Sequence, residues 1–157
     1  MNRLIVEPEL CTGCRLCQTA CSFKHYGIYD LTLSRIKISN DEIGGESLPI
    51  VCCQCEAKPC VSACPTGALD KEGTSIDKEL CTGCLACVSA CPNGGISYHA
   101  GAGEVLKCDL CGGEPECVRA CPSNALKLVG NNLSTIYHLR HYLERIREWL
   151  ARGGEAE

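Results

Sequence analysis

Sixteen of the seventeen cysteines in this chain fall into four groups of four. Cys11, Cys14, Cys17 and Cys21 share one spacing with Cys81, Cys84, Cys87 and Cys91: gaps of two, two and three residues. Cys52, Cys55, Cys60 and Cys64 widen the middle gap to four, and Cys108, Cys111, Cys117 and Cys121 widen it to five. A single CxxC serves zinc sites and redox dithiols equally well. Four complete sets at these spacings instead suit [4Fe-4S] cubanes. Three cysteines two apart let one loop wrap three iron corners, with Gly13 or Gly83 allowing close backbone approach. Loop amides then point at the sulfurs and stabilise an anionic cluster. The fourth cysteine lies too far along an emerging helix to reach the same cube. Pro65, Pro92 and Pro122 follow it in three groups, and Ser22 stands there in the first. Four [4Fe-4S] clusters on sixteen cysteines are therefore expected. Cys53 is left over, because Cys52 completes a CxxC and Cys53 would give CxC; a small buried non-ligand is expected there.

The elements that must hold these sulfurs are short. Strands are expected at 3–7, 34–39, 47–51, 74–77, 96–98, 104–107 and 126–129, joined in part by Gly44-Gly45 and Gly101-Ala102-Gly103 turns. One-turn helices are expected after Cys17, Cys60, Cys87 and Cys117, each carrying its fourth cysteine. A repeat runs through them. Glu9-Leu10-Cys11-Thr12-Gly13-Cys14 recurs letter for letter at Glu79-Leu80-Cys81-Thr82-Gly83-Cys84, and Ala63-Cys64-Pro65 recurs at Ala120-Cys121-Pro122. The fold class expected is α+β: a duplicated bacterial-type two-cluster ferredoxin-like fold of hairpins and one-turn helices, plus a C-terminal amphipathic helix. An inner unit is placed at 48–100, an outer unit at 1–47 with 101–130, and a docking helix at 131–157.

That last helix is expected to be capped by Ser134, to run to about Arg152 and to stop at Gly153-Gly154. Ile136, Leu139, Leu143, Ile146 and Leu150 form one apolar seam. The seam either packs on its own chain or docks on another subunit or another copy. Head-to-tail docking of copies would build a filament. Arg140, Arg145, Arg147 and Arg152 are expected in solvent or against the acidic body.

Composition narrows the class further. The 45% hydrophobic content includes the cysteines, and the chain has one Phe, one Trp and one Met. So thin a core implies that bound metal supplies much of the folding energy. The formal charge of −4 ignores the clusters, each of which adds about −2 with its thiolates, so the loaded chain would sit near −12. Nucleic acid is not an expected partner. The first residues show no long apolar stretch and no twin-arginine leader, and no apolar run is long enough to span a bilayer. A cytoplasmic location without direct membrane insertion is expected, where thiols stay reduced and act as ligands. His25, His99, His138 and His141 lie outside the ligand spacings, and surface or packing roles are expected for them. Rossmann glycines, flavin motifs and a substrate pocket signature are missing, so no catalysis by the chain itself is expected.

The four-motif order resembles the four-cluster ferredoxin-like electron-transfer subunits of molybdenum- or tungsten-pterin oxidoreductases, hydrogenases and formate dehydrogenases, over about residues 1–130. Cys21-Ser22-Phe23-Lys24-His25-Tyr26-Gly27, Leu33-Ser34-Arg35-Ile36, Val51-Cys52-Cys53-Gln54-Cys55-Glu56 and Lys107-Cys108-Asp109-Leu110-Cys111 are most similar to the small iron-sulfur subunits of tungsten aldehyde oxidoreductases and related benzoyl-CoA reductases. The resemblance implies a ligand pairing from outside in. Cys11, Cys14 and Cys17 would join Cys121, and Cys108, Cys111 and Cys117 would join Cys21. Cys52, Cys55 and Cys60 would join Cys91, and Cys81, Cys84 and Cys87 would join Cys64. It implies single-electron relay to or from a large catalytic subunit, with a ferredoxin or flavin-containing protein as the further exchange partner. A free-standing polyferredoxin serving several enzymes is the alternative, and an iron-sulfur sensor a more distant one.

Overall fold

A computed structural model describes residues 2–40, 45–130 and 133–153, and pairs the strands among them two by two. All three pairs are antiparallel. β1 (Asn2–Val6) runs against β6 (Leu126–Gly130), with Leu4 opposite Leu128. This pair closes the two ends of the cysteine-bearing body on each other. β2 (Ile36–Asn40) pairs with β3 (Ser47–Val51), and β4 (Ile96–His99) with β5 (Glu104–Lys107). These two hairpins straddle the expected unit borders at 47/48 and 100/101. The Gly44 half of the expected Gly44-Gly45 turn lies outside the described residues, and Gly45 takes a φ of +67°.

Two expected strands differ, for local reasons. Ser34 precedes β2 because its hydroxyl donates to the Ile36 carbonyl at 2.7 Å and accepts the Ile36 amide at 3.2 Å. Residues 74–77 form a turn whose ladder is reduced to a bridge between Leu69 and Ile76. The Asp70 carboxylate takes the Thr74 amide at 2.6 Å and the Thr74 and Ser75 hydroxyls at 2.8 Å. Such side-chain bonds compete with a strand for the same backbone groups.

The helices follow the cysteines closely: α1 (Leu16–Tyr26), α2 (Pro59–Ser62), α3 (Ala86–Ser89) and α4 (Glu116–Arg119). Two corrections apply. α1 is an 11-residue helix rather than one turn, and it carries both Cys17 and Cys21. α2, α3 and α4 stop two residues before Cys64, Cys91 and Cys121, so those cysteines lie beyond their helices. Both facts come from the residue that follows. A proline pushes the residue before it out of helical geometry, whereas Ser22 keeps an amide and lets α1 continue to Gly27, which ends it at φ +70°.

α5 (Leu133–Ala151) begins one residue before Ser134, which therefore sits inside the first turn; the cap position and Gly154 lie outside the described residues. The helix stops at Gly153, φ +85°. Its inward stripe is Leu139, Tyr142, Leu143, Ile146 and Trp149, packed against β1, β2 and β3. The expected seam is thus corrected by about one position. Ile136 and Leu150 stay 51% and 43% exposed, because Tyr142 and Trp149 bring more apolar area to the stripe and turn it their way. The centre of the seam packs on its own chain. Arg145 pairs with Glu46, while Arg140 and Arg147 face solvent.

The core has two parts. Leu4, Val6, Ile36, Ile38, Ile50 and Val51 pack with α5 around the cysteines of the first and fourth groups. Leu69 and Ile96 pack around Cys60 and Cys87, with Val61, Ile76, Val88 and Val105 at the edge.

Candidate metal centre

Each CxxC needs a tight turn, and the backbone makes it the same way four times. The residue before the second cysteine is left-handed in every group: Gly13 at φ +68°, Gln54 at +47°, Gly83 at +67° and Leu110 at +58°. Gly13 and Gly83 were legible as turn residues. Gln54 and Leu110 were not, since L side chains are disfavoured there by about 1–2 kcal/mol. Strain of this kind persists where the surroundings impose it, and it concentrates at functional sites. Gln54 is buried and donates from Nε2 to the Cys108 carbonyl at 2.9 Å, which ties the second group to the fourth. A second left-handed residue, Arg15, Lys58 or Leu85, starts the helix that presents Cys17, Cys60 or Cys87. The wider fourth group uses Gly112 and Gly113 in its inserted loop, at φ +70° and +110°.

The segments after Cys-Pro also repeat. Gly67, Gly94 and Asn124 take φ +67°, +64° and +55°, three residues beyond Cys64, Cys91 and Cys121. The resulting turn aims amides back at the sulfur. Burial opposes ionisation of Cys64, but the Thr66 hydroxyl and the amides of Thr66, Leu69 and Ala68 outweigh it and bring the thiol down to about 7. The same balance lowers Cys121, through Ser123, Leu126 and Ala125. Asn93 and Gly95 serve Cys91. Cys21, on its continuous helix, has no such turn and instead accepts the Arg35 amide at 3.3 Å.

Fifteen of the sixteen predicted ligands lie near enough for their sulfurs to act on one another, in four groups. Burial raises the Cys17 thiol to about 12, and the nearby sulfurs of Cys11, Cys14 and Cys121 add to it. Burial likewise raises Cys117, beside Cys108, Cys21 and Cys111. Cys91 is raised by burial and by Cys52 and Cys55, which also adjoin Cys60. Cys87 is raised by burial and by Cys64 and Cys81. Adjacent groups also influence one another, Cys17 raising Cys117 and Cys52 raising Cys108. Every cysteine is a free thiol. Cys14 and Cys84 are exposed, and both fall at the middle of the repeated loops.

These groups fit an iron-sulfur cluster. Crowded sulfurs that repel one another as thiolates need positive charge among them, and iron supplies it. Backbone amides already point at the sulfurs that would carry the negative charge. Cys53, the expected non-ligand, is buried at 3% exposure with its thiol 3.6 Å from the Val51 carbonyl. Burial, then Cys52 and Cys91, push its pKa up.

Sequence reasoning missed two basic side chains close to the sulfurs. Lys107 is buried, with Nζ 3.2 Å from Cys52 Sγ. His25 lies largely out of solvent, 3.8 Å from Cys111 Sγ and 3.5 Å from Asp109. Asp109 in turn pairs with Arg35 at 2.7 Å and accepts the Cys111 amide at 2.9 Å, so this trio braces the fourth group's loop. His99 bridges Thr32 and the Ala102 amide, and His138 and His141 lie at the surface near Glu7 and Glu9. No helix among the described residues is long and apolar enough to cross a membrane.

Models of 4Fe-4S binding domains match residues 74–97 and, separately, residues 8–26 and 106–130. The chain is 43% identical to the polyferredoxin-like subunit of aliphatic sulfonate oxidoreductase from Pyrococcus furiosus, over 85% of this chain and 81% of that protein. It is 42% identical to the beta subunit of NADH-dependent phenylglyoxylate dehydrogenase from Aromatoleum evansii, over 69% of this chain but 26% of that protein. A chain of the BamBC active-site complex of benzoyl-coenzyme A reductase shares the fold at a TM-score of 0.50 and 20% identity, over 97% of this chain and 98% of that one. With its 4Fe-4S binding domains and its match along most of the Pyrococcus furiosus subunit, this chain belongs to the family of iron-sulfur electron-transfer subunits of oxidoreductase complexes.

Proposed function

We propose that the chain holds four [4Fe-4S] clusters as a linear relay, and that it passes single electrons to or from a large molybdenum- or tungsten-pterin catalytic subunit. The observation that carries this reading is the set of four sulfur neighbourhoods with their shared turn geometry. The ligand sets are Cys11, Cys14, Cys17 and Cys121; then Cys21, Cys108, Cys111 and Cys117; then Cys52, Cys55, Cys60 and Cys91; then Cys64, Cys81, Cys84 and Cys87. The charge influence of Cys17 on Cys117 and of Cys52 on Cys108, with the packing of α2 on α3, supports that order. A bound cluster supplies one-electron storage with little change of shape. The chain's residues hold the sulfurs apart, aim amides at them, and exclude water from the inner members. Exposed Cys14 and Cys84 put the two ends of the relay within reach of exchange partners.

The chain itself is non-catalytic in this reading. Its partners are the catalytic subunit and a ferredoxin or flavin-containing donor or acceptor, in the cytoplasm. The duplication that sets the first group against the third is supported by their matched left-handed residues, Gly13 with Gly83 and Arg15 with Leu85. The centre of the tail's apolar seam packs on its own chain, so the preference for subunit over free polyferredoxin rests on the Pyrococcus furiosus relative. Anaerobic purification of the native protein tests it. Co-elution at fixed stoichiometry with a large chain containing molybdenum or tungsten is expected. Elution as a lone small protein at every salt concentration would sink the subunit reading and leave the free carrier.

A further inference from the structure

A buried ammonium without a carboxylate is costly, and lysine is rarely found in that state. Lys107, on β5 opposite Ile96, is 4% exposed. Its Nζ donates to Cys52 Sγ at 3.2 Å and to the Gly73 carbonyl. Among the described residues it has no ion-pair partner. Gly73 is itself fixed, its amide bonded to the Asp70 carbonyl at 2.9 Å, so the ammonium is held at the sulfur rather than free to swing away. Cys52 and Cys60 belong to one of the four proposed ligand sets. By contrast, Arg35 pairs with Asp109 at 2.7 Å, and His25, 3.8 Å from Cys111 Sγ, also lies against Asp109.

We propose that Lys107 is a positioning and potential-setting residue for the single cluster held by Cys52, Cys55, Cys60 and Cys91. The inference rests on the four-cluster reading above. Reduction adds one electron and one negative charge to that site, and no proton moves. A fixed ammonium bonded to a ligand sulfur stabilises the more negative, reduced form more than the oxidised one. This cluster is therefore reduced in preference to its position without the lysine. Being third in the proposed order, it gives the relay an interior step where an electron rests between the Cys14 end and the Cys84 end.

The test compares Lys107→Gln, which keeps a donor without charge, with Lys107→Arg, which keeps charge and donor. Each protein is titrated anaerobically with dithionite, followed by electron paramagnetic resonance, after its iron content is measured. With Lys107→Gln, one of four signals should lose at least tenfold in its reduced-to-oxidised ratio at the wild-type midpoint, about 59 mV for a one-electron couple. The other three should move far less, and Lys107→Arg should recover most of the loss. The moved signal should be the one that Cys55→Ser alters. Four unmoved signals, or four that shift equally, would overturn the role of Lys107. Loss of one cluster's iron in Lys107→Gln but not in Lys107→Arg would overturn it too, since the lysine would then retain the cluster rather than set its potential. A wild-type protein lacking about sixteen irons would overturn both this inference and the reading beneath it.

Discussion

The hydroxyl of Tyr142 donates to the Pro49 carbonyl at 2.8 Å and accepts the Val51 amide at 3.3 Å. Tyr142 is 1% exposed, and one atom thus satisfies two polar groups on the open edge of β3. This is how the C-terminal helix is pinned beside Cys52, which follows Val51 directly. Tyr142→Phe keeps the ring and leaves both backbone groups unpaired. It should cost about 1–3 kcal/mol and lower the apparent melting temperature of the loaded protein by roughly 3–10 °C, measured anaerobically by calorimetry. No change would show that the helix is held by Ile146 and Trp149 alone.

Cys53 and Cys52 are neighbours with opposite expectations. Cys53→Ala should leave iron per chain unchanged, because its thiol faces the Val51 carbonyl. Cys52→Ala should lose up to four irons, or convert one cluster to a three-iron form visible by electron paramagnetic resonance. Iron loss in Cys53→Ala would reverse the assignment of ligand and spare.

Ser22 is the residue that lets α1 run past Cys21. Its hydroxyl accepts the Asp30 amide at 3.2 Å and donates to the Thr19 carbonyl at 3.1 Å. Ser22→Pro would copy the other three groups and remove a helical amide, at about 3 kcal/mol or more. Circular dichroism should lose helix, and thermal stability should fall. A protein of unchanged stability would mean that the last turns of α1 add nothing.

Gly95 touches the second group from across the fold. A Cβ there would meet Cys52 Cα at 2.7 Å and Cys52 N at 2.8 Å, both backbone atoms with no room to yield. Gly95→Ala should displace Cys52 or the Cys91 turn, at about 1–3 kcal/mol. Faster bleaching of visible absorbance in air is expected for this variant than for Gly130→Ala, where a Cβ meets nothing within 4 Å.

The cysteine framework was readable from sequence because ligand spacing is dictated by the size of the metal group, independent of the surrounding fold. Strands at 47–51 and 104–107 were readable because glycine-rich turns lead into them and a cysteine motif follows each. The length of α1 was harder. It depends on one residue, Ser22, whose effect appears only by contrast with the prolines elsewhere. The face of α5 was misjudged by about one position, since leucine spacing alone ignores how much area Tyr142 and Trp149 carry. Lys107 was invisible for a different reason. Its neighbour in sequence is Cys108, but its ammonium reaches Cys52, and only the β4–β5 hairpin brings the two together. Gln54 and Leu110 were missed because nothing in their chemistry announces a left-handed backbone.

The most direct test of the whole account is iron and acid-labile sulfide per chain on anaerobically purified protein. Four cubanes on sixteen cysteines predict about sixteen of each, with no stoichiometric zinc. About eight irons, or zinc in their place, would contradict it.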